Sequence, residues 1–246
     1  GTLLADFIPS WISKIQGRRF MKWGKGDFRF SRPIRWIVSL IDSEVLPLKI
    51  SGCDPEIQIG NISRPHRLHG SSLEIKNANT YFDQLKDFGV IVDRNSRLTY
   101  INDLVINHET NKLVKPDLTE PLLNELTDLV EYPLLVTGSF DEAFLDLPPE
   151  VLSTVMKVHQ RYIPLYKANV EFDPLSLDSK NILLPSFLCI SNGLSSATKN
   201  IILGNEKVLK ARFSDASFFI KSDLLIKSSS RINKLKDVTF AEGLGS

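Results

Sequence analysis

Apolar residues recur along this chain with two periods, and the switches between them set the expected order of elements. Leu4, Phe7, Ile8, Trp11, Ile12 and Ile15 keep the three-to-four spacing of one helical face, predicting a short opening helix interrupted or begun near Pro9. A basic loop follows. Residues 34–41 are dense in β-branched and aromatic side chains, and beyond Asp42-Ser43-Glu44 the run 45–50 reads as the return strand of a hairpin, marked as an edge by Pro47. Residues 57–67 offer a third strand. Asn79 is placed to cap a helix through Phe88 that Gly89 ends. A brief strand at 90–92 and a helix over 93–113, stopped by Pro116, come next.

Apolar residues at 122, 123, 126, 129 and 130 predict a helix over 118–130, ended by Tyr132-Pro133. Residues 134–140 are strand-like. Pro148-Pro149-Glu150 opens a helix over 151–158, and 162–166 returns as strand. The polar stretch 168–181 has no period and reads as a surface loop. Residues 183–190 form an apolar run of buried-strand type, 195–209 is helical, and the last forty residues read as helix through Phe213, Phe218, Phe219, Leu224, Leu225, Ile232 and Leu235. Strands and helices mix without a βαβ rhythm and without internal repeats. The expected class is therefore α+β, a mixed sheet with flanking helices, in one module over 1–246 with a helical C-terminal extension from about 195 to 246. Trp36, Phe187, Phe218 and Phe219 carry the apolar faces of these elements and are expected to be buried. Because the chain starts inside an amphipathic helix and stops at Gly243-Leu244-Gly245-Ser246, it reads as an internal segment of something longer.

Composition narrows the function classes. With 42% hydrophobic and 24% charged residues, 246 residues can bury a substantial core. No apolar run is long enough to span a bilayer, and the opening lacks the layout of a signal peptide, so a cytoplasmic protein without a membrane partner is expected. Cys53 and Cys189, far apart in sequence, read as two thiols rather than a disulfide framework or metal knuckle. Thirty Lys and Arg nearly balance 29 Asp and Glu. A polyanion therefore has to be met by a local patch, and one exists: Lys14, Arg18, Arg19, Lys22, Lys25, Arg29, Arg32 and Arg35 face a single acid, Asp27, within 14–35.

Catalytic signals are absent where they would be sought. Gly24-Lys25-Gly26 is too short for a phosphate loop, and His108-Glu109 lacks the second histidine of a zinc-binding helix. His66 and His69 stand three apart, a poor spacing for one ion on a strand, and no serine lies in a Gly-x-Ser-x-Gly elbow. No catalytic residue and no metal ligand is expected. Three segments dense in aromatic, Arg and Gly residues remain. In 21–24 with 30–36, and again in 64–70, a guanidinium beside an indole or histidine can stack on a base, grip phosphate or pin a loop by hydrogen bonds. Arg32, Arg35, Arg64, His66 and Arg67 are thus the candidate contacts for a phosphate-bearing polyanion. In the third segment, 204–219, Arg212 and Asp215 have the spacing of a weak helix-face ion pair, and a structural role is favoured.

Taken in chain order, Met21-Lys22-Trp23-Gly24, residues 30–36, His66-Arg67, Glu131-Tyr132-Pro133, Phe144-Leu145 with Leu147-Pro148, Thr154-Val155-Met156-Lys157 leading to His159-Gln160, Tyr162 with Pro164 and Tyr166, residues 204–208 and residues 215–219 resemble the β subunit of the bacterial two-subunit glycyl-tRNA synthetase. The resemblance implies an α2β2 assembly in which the α subunit carries the site for glycine, ATP and Mg²⁺, so this segment itself needs no cofactor. It implies tRNA(Gly) as a partner alongside the α subunit, and a fold similar to the editing-type domain of the phenylalanyl-tRNA synthetase β chain. The family's anticodon-binding domain is expected beyond this segment. On that basis the segment is expected to be a noncatalytic module of a glycine-tRNA ligase that positions tRNA or supports assembly. Two alternatives are an editing hydrolase of mischarged tRNA and a scaffold without RNA contact. A glycine pocket already excludes larger side chains by clash, which weakens the case for editing. The sequence departs from the family pattern at Pro65, where Gly is usual, at Ala241 and Gly243, and in the insertion-like stretch 168–181. Pro65 removes a backbone donor and restricts Arg64 to extended conformations.

Overall fold

In the computed structural model, which describes residues 2–112, 114–168 and 178–232, the chain divides into two units. The first takes the described residues of Gly1–Thr99 and Asp128–Tyr132, the second those of Tyr100–Thr127 and Pro133–Ser246. Both mix helix and strand, and the class is α+β as the patterning predicts.

In the first unit the opening apolar stripe folds as α1 (Thr2–Lys14), which runs through Pro9 without a break. The stripe is only partly covered, since Leu4, Phe7 and Trp11 are exposed while Ile8 and Ile12 are partly buried. β1 (Met21–Lys22) and β2 (Arg29–Phe30) make an antiparallel ribbon. β3 (Trp36–Val38) leads into β4 (Leu40–Ile41), which turns at Asp42-Ser43 into β5 (Glu44–Val45). Asp42 takes the left-handed conformation, φ 52°, that the short polar side chain of Asp tolerates in a tight turn. The predicted hairpin is present, but its return strand is shorter than 45–50. After Leu46 N–H donates to Ser39 O, Pro47 has no N–H to extend the ladder. β3 instead gains a parallel partner, β6 (Gln58–Gly60), and β7 (Ile62–Ser63) pairs with β8 (Leu73–Glu74).

Asn77, rather than Asn79, is the capping residue of the next helix. Its side chain accepts from the Asn79 N–H at 2.8 Å and starts a 3₁₀ turn, Ala78–Thr80, that continues as α2 (Tyr81–Asp87). Gly89, at φ 77°, ends the helix as expected. Leu73, Ile75 and Leu85 form the core here, with Val38, Leu40, Val90 and Val92 against them. The brief strand expected at 90–92 is not formed: Val90 N–H donates back to Leu85 O at the helix end and Ile91 N–H to Glu131 O. The Asp93 carboxylate accepts from Ser96 N–H and caps α3 (Arg94–Lys112).

The second unit contains most of the buried apolar surface. After α3, in which Ile101 and Val105 are buried, come β9 (Val114–Pro116), α4 (Glu120–Leu129), β10 (Leu134–Ser139) and α5 (Pro149–Thr154). The helical path of α5 continues over Val155–Gln160 with the wider π-type turn. Then follow β11 (Ile163–Lys167), α6 (Ser179–Ile182), β12 (Leu183–Ser191), α7 (Thr198–Leu224) and α8 (Ser228–Arg231). Four strands form one antiparallel sheet in the order β10-β12-β11-β9. The apolar run of β12 lies at its centre, and Phe187 and Leu188 are fully buried. Phe187 stacks on Tyr162, ring centroids 4.6 Å apart. β9 is an element the patterning misses, because Pro116 looks like a helix stop and is instead the end of an edge strand.

Two of the four aromatics expected in the core lie elsewhere. Phe187 is buried and Trp36 partly so, but Phe218 and Phe219 are 67% and 65% exposed. Helical spacing explains the correction. The buried stripe of α7 runs through Leu209 and Phe213, and the next positions on that face are Ala216, Ser217 and Ile220, all partly covered. Phe218 and Phe219 fall on the other side, where their rings meet each other edge to face. The expectations for 169–177, for helix beyond 232 with Leu235, and for Ala241 and Gly243 fall outside the described residues. Among the described residues no helix is long and apolar enough to cross a membrane.

Candidate functional site

Four of the candidate contact residues are arginines of the first unit, and among the described residues Arg32, Arg35, Arg64 and Arg67 have no carboxylate partner. Arg32, Arg35 and Arg67 are exposed and Arg64 is half-buried. Arg32 and Arg35 flank Pro33-Ile34 in the segment entering β3, where Arg35 O accepts from Gln58 N–H. The guanidinium of Arg64 lies over the Trp36 ring, 4.8 Å from its centroid. This cation–π contact contributes about 0.5–1 kcal/mol at a partly exposed site and holds Arg64 to β3, which Arg35 immediately precedes. Pro65, buried, follows Arg64 directly.

His66 is placed differently from the arginines. It is only 2% exposed, its N–H donates to Phe88 O, and its Nδ1 lies 3.4 Å from Leu68 N. Its ring meets His69 edge on, and Gly89 passes so close that an added Cβ would lie 2.9 Å from His69 Cδ2 and 3.0 Å from His66 Cβ. His66 thus shapes the turn that leaves Arg67 outward. The two histidines belong to no cluster of three or more metal-ligating side chains among the described residues.

The loop 23–30 is fixed by contacts that also explain its glycines. Trp23 Nε1 donates to Phe30 O at 3.0 Å, and Lys25 N–H to the Asp54 carboxylate at 3.0 Å. Gly24 has φ 64° and lies against Asp54 O with no room for a Cβ, and Gly26, at an ordinary φ, likewise leaves no room for a Cβ against Gly52 O. Trp23, Phe28, Pro33, Arg35, Cys53 and Pro55 are among the residues around a small cavity of about 170 Å³ beside the candidate arginines. A larger cleft of about 800 Å³ opens between the end of α1 and the β1–β2 ribbon.

Several of the other strings that carry the resemblance serve the fold of the second unit. The Glu206 carboxylate accepts from both the N–H and the hydroxyl of Ser139, at 2.8 and 2.9 Å, closing the end of β10. Asn205 Nδ2 lies 3.4 Å from Cys189 Sγ, whose thiol is pushed up to about 11 by burial. Lys157, on the π-type turn, bonds Asp117 at 2.6 Å, and Tyr166 OH reaches the same carboxylate at 3.4 Å. Burial and that negative charge keep the Tyr166 phenol protonated well above its ordinary range. All members of this largely buried group are partnered, and they tie the turn to the sheet. Arg161 follows in the left-handed conformation, φ 57°, and pairs with Glu125 at 2.7 Å.

A family model described as glycyl-tRNA synthetase beta subunit matches residues 1–246. The glycine–tRNA ligase beta subunit of Trichodesmium erythraeum is 41% identical over 245 residues, 99% of this chain and 33% of the relative. That of Synechocystis sp. is 41% identical over 244 residues, covering 99% and 32%, and that of Bacillus subtilis 38% over 239 residues, covering 97% and 33%. The chain therefore spans about a third of the length of the curated relatives it matches.

Proposed function

The chain belongs to the glycyl-tRNA synthetase β-subunit family, and from that premise we propose that it is a noncatalytic module of a glycine-tRNA ligase, supporting ATP-dependent glycyl-tRNA formation by positioning tRNA. The observation that carries this reading is the group of arginines without carboxylate partners, Arg32, Arg35, Arg64 and Arg67, on a chain whose total charge is only +1. With no general field to hold a polyanion, a concentrated set of planar guanidinium forks is what grips phosphate or stacks on an unpaired base. In this proposal glycine activation with ATP and Mg²⁺ belongs to an α subunit in an α2β2 assembly, in the cytoplasm, and tRNA(Gly) is the nucleic-acid partner.

A scaffold without RNA contact is the second reading, favoured by the burial of His66 and by the seat of Arg64 on Trp36. Alanine variants of the four arginines in the complete two-subunit enzyme separate the two. A phosphate contact weakens tRNA binding and flattens its salt dependence while the melting temperature stays nearly unchanged. A structural arginine lowers the melting temperature instead, as expected in part for Arg64. Unchanged tRNA affinity and salt slope in all four variants would establish the scaffold.

A further inference from the structure

The first unit holds a second cationic feature that the four arginines do not touch. The cleft of about 800 Å³ at the end of α1 is within the roughly 300–1,000 Å³ of small-ligand sites. We propose that this cleft takes one or two unpaired nucleotides of an RNA, Arg18 and Arg29 meeting phosphate and the Phe28 and Phe20 rings meeting a base. The proposal rests on reading the module as a tRNA contact and adds to it a place for single-stranded RNA.

Charge supports the anionic half of this ligand. Arg18 and Arg29 are exposed, and among the described residues neither has a carboxylate partner. The one acid in the lining, Asp27, is paired with Lys22, whose ammonium, with a smaller pull from the Arg29 guanidinium, holds the Asp27 carboxyl below its usual range. The lining therefore keeps a positive balance, with Arg18 lacking a carboxylate partner among the described residues and Arg29 facing only a carboxylate that Lys22 already pairs.

The aromatic half comes from the β1–β2 ribbon and its flanks. Phe28 and Phe30 stack with centroids 6.3 Å apart and planes 11° from parallel, and the Phe20 ring lies tilted with its centroid 5.0 Å from that of Phe30. Phe28 is fixed in place by its N–H to Gly52 O at 2.9 Å. Half-buried rings of this kind offer faces to a base, and every base has a face to offer. Bases inside a duplex are already stacked, so the ligand that fits is unpaired. Ser13, Gln16 and Ser51 line the same cleft and supply hydrogen-bonding groups for base edges or a ribose hydroxyl. A bare anion would have no use for the rings.

The test uses the complete two-subunit enzyme with three probes: a short unpaired RNA oligonucleotide, a blunt RNA duplex of equal length, and inorganic phosphate as competitor. The paired substitution Arg18→Gln/Arg29→Gln is expected to weaken oligonucleotide binding about tenfold or more. It should also reduce the slope of log K against log salt by about 1.4, the value for two single-strand phosphate contacts. Phe28→Leu is expected to weaken it about fivefold or more with the slope unchanged. Unaltered oligonucleotide binding in the paired arginine variant, at an unaltered melting temperature, overturns the proposal. So does an equal loss for the duplex, which would mean a general cationic surface, and so does full competition by phosphate with no effect of Phe28→Leu, which would mean an anion site alone. Failure of the wider tRNA reading shows separately, as intact tRNA binding in the Arg32, Arg35, Arg64 and Arg67 variants.

Discussion

Gly138→Ala adds a single methyl group at the centre of the second unit. Gly138 pairs with Phe187 across β10 and β12, and a Cβ there would run into the Phe187 ring, nearest to Cζ and then at 2.8 Å from Cε1 and 3.1 Å from Cε2. The ring cannot retreat, because it is fully buried and stacked on Tyr162. Two effects oppose each other. Restricting the unfolded chain by replacing Gly stabilises by about 0.4–1 kcal/mol, whereas overpacking costs about 1–3 kcal/mol. With both neighbours rigid the clash wins, for a net loss of about 1–2 kcal/mol, or roughly 2–8 °C in melting temperature for a chain of this size. Phe187→Leu on its own costs about 1–2 kcal/mol, less than the roughly 3–5 kcal/mol of truncation to Ala. In the double variant the new methyl occupies space the ring has left. Urea unfolding of the four members of this cycle should therefore show a favourable coupling of about 1 kcal/mol or more. Additivity within error would refute the argument, since it would mean that the ring moves freely or that the contact is not made.

Three further outcomes are expected. Arg161→Gly should be more stable than Arg161→Ala by about 1 kcal/mol in thermal unfolding, because both lose the Glu125 pair but only Gly accepts φ 57° without strain. Alkaline pH should destabilise the second unit. Burial raises the Cys189 thiol from 9.0 to about 11 and the Tyr162 phenol from 10.0 to about 12, so above pH 9 the folded chain keeps protons that the unfolded chain has lost. Stability then falls by about 1.4 kcal/mol per pH unit for each such group until its folded value is passed, and Cys189→Ala should flatten the fall between pH 9 and 11. Finally, residues 1–246 alone should give no glycine-dependent ATP–pyrophosphate exchange, and measurable exchange free of α subunit would place activation chemistry in this segment.

The sequence made the long and strongly patterned elements legible. The apolar run 183–190 needs no partner to be recognised as a buried strand, and it is β12 (Leu183–Ser191); the periodic 118–130 is α4 (Glu120–Leu129). What escaped depends on pairing between distant segments. β9 has three residues and becomes a strand only beside β11, and the parallel match of β3 with β6 leaves no local trace. The aromatic pair of α7 was misplaced because hydrophobicity alone does not say which side of a helix a residue occupies. Counting from Phe213 as a fixed buried point would have turned Phe218 and Phe219 outward. The arginines were visible as a charge cluster, but the seat of Arg64 on Trp36, the burial of His66 and the cleft beside Arg18 all require the folded chain.

The unequal burial of the two cysteines gives the segment a built-in chemical handle. Cys189 is buried, hydrogen-bonded and held as the neutral thiol, so an alkylating reagent reacts with it slowly. Cys53 is half-exposed at the wall of the small cavity it shares with Trp23 and Arg35. Its own thiol is also raised by partial burial, so mildly alkaline buffer favours modification there first. Within these 246 residues a single environment-sensitive dye therefore attaches next to the candidate arginines without any substitution. Indole quenching by Trp23 then reports optically on what enters or leaves that corner of the first unit.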